Sequence, residues 1–149
     1  MKRHAKKECR KTKKWLDKKG TQLSLVYYEF NMIDVNQDTC WVDFDSVIHV
    51  TNSLQGLQNL RKLVGSERHI YSGNKMPSYV EAIGTCKLVL SSGFISLEKT
   101  FYILGFARNL ISVLRLVYFG YSLSFSDSCF SLNYRSDVIG YGTLWFFSF

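Results

Sequence analysis

Beyond residue 20 the chain is a series of short apolar runs broken by turn residues, and most of the runs alternate apolar and polar positions with a period of two. That period is the mark of β-strands with one face buried. It predicts strands in "QLSLVYYEF", "CWVDFD", "RHIYS", "SYVEAIGT", "CKLVLSS", "FISLEKTFYIL", "YSLSFSD", "CFSLNYR" and "DVIGYG". The cluster "GNKMP" between "RHIYS" and "SYVEAIGT" is the chemistry of a hairpin tip. Two segments break the pattern. In "SLQGLQNLRKLV" the leucines Leu54, Leu57, Leu60 and Leu63 recur every three residues, which suggests a short helical turn or loop packed on the body. "NLISVLRLVYFG" is the best candidate for a short helix. Many short strands at close spacing, with a single proline in the chain, describe a small β-barrel or sandwich.

Composition adds an uneven charge. The 149 residues are 46% hydrophobic and 15% aromatic, enough for one domain with a core. The net charge is +7, but residues 1–20 hold ten Lys and Arg against two acids, or +8, so the rest of the chain is close to neutral. Such a tail is expected to be a disordered arm, and the residues Lys6, Lys7, Arg10, Lys11, Lys13, Lys14, Lys18 and Lys19 are its candidates for contact with RNA or DNA phosphates without sequence preference. The four cysteines, Cys9, Cys40, Cys86 and Cys129, contain no C-x-x-C pair, so thiols in a reducing compartment are expected. No apolar segment reaches the roughly 20 residues of a bilayer span, and none follows the basic start as a signal peptide would. The expectation is a soluble chain of the cytoplasm or nucleus with no membrane partner. Phosphate-loop, zinc-protease, nucleophile-elbow and dinucleotide motifs are absent, and His49 and His69 stand singly, as structural histidines do.

Candidate chemistry centres on "CWVDFDSVIHVTN", residues 40–52. As a strand it places Trp41, Asp43 and Asp45 on one face, and two neighbouring carboxylates suit acid–base work because both cannot hold a negative charge at once. An exposed polar face is the plainer reading of the same residues.

Two longer stretches point to a family. "HAKKECRKTKKWLDKKG", residues 4–20, resembles the end of a CCHC zinc knuckle and the basic linker behind it in copia-type LTR retrotransposon polyproteins. The run from "WVDFDSVIHVTN" through "YSGNKM", "VEAIGT" and "FARNLISV" to "GYSLSFSDSCFSLNYRSDVIGYGTL" resembles the protease region that follows. The resemblance implies an all-β fold, a small closed or partly closed retropepsin-like β-barrel with one or two short helices, in which two protomers each supply one Asp to a shared aspartic protease site. By that analogy Asp43 is the catalytic residue, Gly73, Asn74, Lys75 and Met76 form the flap, the ancestral substrate is the Gag-Pol polyprotein, and a homodimer is the expected partner. The chain divides into the tail at 1–20, the barrel at 21–144 and an aromatic terminus at 145–149.

The resemblance fails at the centre of the motif. Where the family has Asp-Ser-Gly or Asp-Thr-Gly this chain has Asp43-Phe44-Asp45. Phenylalanine cannot supply the hydroxyl that holds two such loops in register, and Asp45 puts a side chain and a further charge where glycine allows close approach. His4 and Cys9 are the remaining half of the zinc set, too few to hold zinc structurally, so no cofactor is expected. The expectation is a degenerate, inactive Pol-derived barrel, with a nucleic-acid-associated remnant acting through its tail as the alternative.

Overall fold

The computed structural model describes residues 23–26, 40–71, 75–90, 92–127 and 129–145. His4, Cys9, the basic residues of the tail, Gly73, Asn74 and residues 146–149 lie outside them. The described chain is all-β: β1 Leu23–Val26, β2 Cys40–Asp43, β3 His49–Thr51, β4 Leu57–Arg61, β5 His69–Tyr71, β6 Pro77–Tyr79, β7 Ala82–Leu90, β8 Gly93–Tyr102, β9 Asn109–Ser112, β10 Tyr121–Ser126, β11 Cys129–Tyr134 and β12 Asp137–Trp145. Among the described residues a 3₁₀ turn spans Gly65–Glu67 and a single α-helix, α1, spans Val113–Tyr118. Ten strands form one sheet in the order β10-β11-β12-β1-β2-β9-β3-β8-β7-β4, and β5 pairs with β6 as a separate antiparallel hairpin. The sheet has two ends, so the barrel is partly closed.

Two clusters form the core. In the larger, Leu88, Leu90, Ile95 and Leu97 from the far half of the β7–β8 hairpin pack with Val42, Ile111, Val113, Leu116, Phe130 and Leu132. The hairpin can meet β2, β9 and β11 in this way only if the sheet curls, and the register shift between Gly84 and Cys86 in β7 supplies the bend. The smaller cluster joins Val50, Val80, Ile83, Phe101 and Ile103.

The alternation that the sequence predicts at β2 does not hold. Trp41 and Val42 are both about fully buried, at 2% and 1% exposure, because β2 lies between β1 and β9 with both faces covered. β2 also ends at Asp43, so Asp45 belongs to the following turn and not to the strand face. Residues 57–61 form a strand where the sequence suggests a short helical turn or loop packed on the body. Leu54 and Leu60 are 52% and 56% exposed, so the three-residue spacing marks no buried stripe. Asn59 at φ 51° and the register shift between Gln58 and Arg61 remove the period of two that would have revealed β4. The predicted helix at 109–120 begins only at Val113, since residues 109–112 are held as a strand by β2 and β3. Cys40 and Cys86 are free thiols, as expected, whereas Cys129 is disulfide-bonded, because sequence spacing carries no information on which cysteines meet in the fold.

One close approach in the bend is testable. A Cβ on Gly84 would lie 2.5 Å from the Gln58 carbonyl oxygen on β4, a backbone atom that cannot swing aside. Gly84→Ala should therefore destabilise the protein by about 1–3 kcal/mol in urea unfolding. A neutral result would mean that β4 moves freely away from β7.

Candidate functional site

β2 and β3 are consecutive in sequence but are not neighbours in the sheet, for β9 lies between them, parallel to β2 and antiparallel to β3. The connection, residues 44–48, must therefore pass over the end of β9. Parallel registers align Trp145, Val26, Asp43 and Ser112 in one row across β12, β1, β2 and β9, so Asp43 and the start of α1 share one end of the sheet.

Within the connection the chain folds back on Asp43. Its Oδ1 accepts the backbone N–H of Asp45 at 2.8 Å and that of Ser46 at 3.3 Å, which is the local turn a short acidic side chain favours. Asp45 and Phe44 are exposed, and the Phe44 ring sits 5.9 Å from the ring of Phe125 on the edge strand β10. Ser46 donates its hydroxyl to the Ile48 carbonyl at 2.6 Å.

Ser112 ties this loop to the core. Its hydroxyl donates to the Ser46 carbonyl and accepts the Arg115 N–H at 3.2 Å, capping α1, while its own N–H donates to Nδ1 of His49 at 3.1 Å. That bond assigns the remaining imidazole proton to Nε2. His49 is 1% exposed, and burial, aided by the positive charge of Arg115, lowers its pKa to about 4, so the ring is neutral at physiological pH. The sequence singles out Asp43, Phe44 and Asp45, and the structure puts all three in one loop. It does not single out the His49–Ser112–Ser46 chain beneath. A serine directly before the apolar run "VLRLVY" was the available signal, as a helix cap.

The hairpin expected from "YSGNKM" is formed by β5 and β6, with Ile70 packed against the smaller core cluster and Lys75 and Met76 exposed. The His69 and Tyr79 rings meet across the hairpin at 4.9 Å between centroids, tilted by 58°. Among the described residues no group of three or more His, Cys, Asp or Glu is arranged to hold a metal ion, and no helix is long and apolar enough to cross a membrane.

The family model described as "Pol polyprotein, beta-barrel domain" matches residues 40–121, from the first residue of β2 to the first of β10. No curated protein and no solved structure matches the chain. The matched span contains the loop at Asp43, the β5–β6 hairpin, both long strands of the bent hairpin and the inserted strand β9. Since it covers more than half of the sequence, the chain belongs to the Pol polyprotein beta-barrel domain family.

Proposed function

We propose that this Pol polyprotein domain derives from a copia-type element, descends from a retropepsin-like aspartic protease and has no peptidase activity. The observation that carries the reading is the loop at Asp43. One oxygen of its carboxylate, Oδ1, accepts two backbone N–H groups of its own turn, the next side chain is a large exposed ring 5.9 Å from that of Phe125, and a second acid follows directly. A working dyad needs a carboxylate free to share a proton and to activate water, in a loop that lets a second copy come close. Phe44 and Asp45 oppose both requirements.

The test is cleavage of a mixed peptide library at acid pH. The chain as written should give no pepstatin-sensitive products. Phe44→Ser with Asp45→Gly should restore cleavage where each single change does not, and Asp43→Asn should abolish it again, since an amide cannot act as the base. Robust pepstatin-sensitive cleavage by the unaltered protein would overturn the reading. The alternative rests on the +8 of residues 1–20. It assigns the function to non-specific RNA or DNA binding whose strength falls steeply with salt and which is lost on deleting the tail.

A further inference from the structure

The two edges of the ten-stranded sheet are built differently. At one of them β4 carries the devices that keep a strand from pairing further: Asn59 at φ 51°, a register shift between Gln58 and Arg61, and the charge of Arg61. At the other, β10 reads Tyr-Ser-Leu-Ser-Phe-Ser, with no charged residue, no proline and an unbroken register on β11 from Tyr121↔Tyr134 to Ser126↔Cys129. The Ser122 carbonyl points toward β11, where it accepts Asn133 Nδ2 at 3.4 Å. The alternation of the ladder then turns the backbone N–H and C=O groups of Tyr121, Leu123 and Phe125 outward. Among the described residues no strand and no loop backbone pairs with them on that side.

Three observations favour a second copy of this chain as the occupant. The first is the side-chain pattern. Tyr121, Leu123 and Phe125 share one face and serines fill the other, so the strand is its own complement. Antiparallel pairing about a twofold axis at Leu123 sets Leu123 opposite its symmetry mate and Tyr121 opposite Phe125, with the outward backbone groups exchanging the bonds. The second is what such a pair covers. Phe125 is 49% exposed, and Phe44, 5.9 Å from it ring to ring, is 42% exposed, an aromatic pair beside the open edge. The third is the charge at the two ends of the strand. Asp127 follows one end, and at the other Arg115 lies 5.6 Å over the ring of Phe119. Antiparallel pairing brings the acid of each copy toward the guanidinium of the other, and nothing charged lies between.

We propose that β10 pairs with β10 of a second copy, joining two sheets into one across a twofold axis. The pair uses no property of the Asp43 carboxylate, so it does not rest on the peptidase reading, in which two copies meet at the Asp43 loop.

The experiment is sedimentation equilibrium of the nuclease-treated full chain, which should show a reversible monomer–dimer equilibrium between about 10 and 200 μM, as befits an interface at the small end of the range. In the proposed register Ser122 of one copy faces Ser124 of the other, and both are exposed. Ser122→Lys with Ser124→Lys sets like charges opposite each other on both sides of the axis and should weaken the dimer by about fivefold or more. Ser122→Lys with Ser124→Glu sets opposite charges there and should hold the dimer within about twofold of the parent. Gln58→Lys, on the blunted edge, should leave it unchanged. A second measurement needs no variant: in the unaltered chain the amides of Leu123 and Phe125 should gain protection from hydrogen exchange as concentration rises, while those of β4 do not. The proposal is overturned if the parent stays monomeric over this range, if the two double variants dimerise equally well, if Gln58→Lys dissociates the dimer, or if the protection of Leu123 and Phe125 is independent of concentration.

Discussion

Replacing Phe130 by alanine should lower the free energy of unfolding by about 3–5 kcal/mol. Phe130 is 1% exposed and sits in the larger core cluster, where side chains from β2, β7, β8, β9 and α1 meet those of β11. The ring can be reached from so many elements because β10, β11 and β12 curl toward the β7–β8 hairpin, and a cavity left there cannot be closed by moving one side chain. Phe125 provides the comparison. It lies 6.3 Å from Phe130, ring to ring, but is 49% exposed, so Phe125→Ala should cost less than about 1 kcal/mol. The measurement is urea unfolding of both variants. Equal costs would show that residues 121–145, most of which extend beyond the span matched by the family model, do not complete the core of the domain.

The same comparison bears on what the sequence could reveal. β8, β10 and β11 were legible because each has one open face and one that is buried or, in β10, half-buried, so Leu123, Leu132 and their neighbours alternate with polar residues along the strand. β2 was legible as a strand but misread in its faces, because a strand covered on both sides gives no alternation at Trp41 and Val42. β4 was hidden for a different reason. Its pairing with β7 is interrupted by a left-handed Asn59, and Leu60 faces solvent while Leu57 is half-buried, so neither period survives. At the site, Asp43, Phe44 and Asp45 could be found from residue types alone. What could not be found was the insertion of β9 between β2 and β3, a contact between residues some 60 positions apart that puts Ser112 under the loop and against His49.

Buried His49 should make the domain lose stability in mild acid. Its pKa falls from 6.5 to about 4 on folding, so as pH drops the unfolded chain takes up a proton before the folded one does. The stabilising contribution is therefore complete above about pH 6.5, declines through the interval down to about pH 4, and by about pH 4.5 amounts to a loss of roughly 2–3 kcal/mol. The structural reason is direct. Protonation would place a hydrogen on Nδ1, where the Ser112 N–H now donates, and a positive charge in a buried site near Arg115. Breaking that bond would loosen the strand that carries Ser112, and with it the cap of α1 and the tie to Ser46. Glu67 titrates in a lower window: the hydrogen bond from Arg61 holds its pKa near 2, so its contribution persists above the ordinary carboxylate range and is lost only below the histidine interval. Urea unfolding at about pH 7.5 and about pH 4.5 measures the effect, with His49→Asn as the control because an amide oxygen near the Nδ1 position can accept the Ser112 N–H without titrating. The variant should be less stable than the parent at neutral pH, from lost packing, yet show a clearly smaller fall between the two pH values. If parent and variant lost stability equally, the acid sensitivity would belong to the carboxylates, and His49 would not be the titrating group.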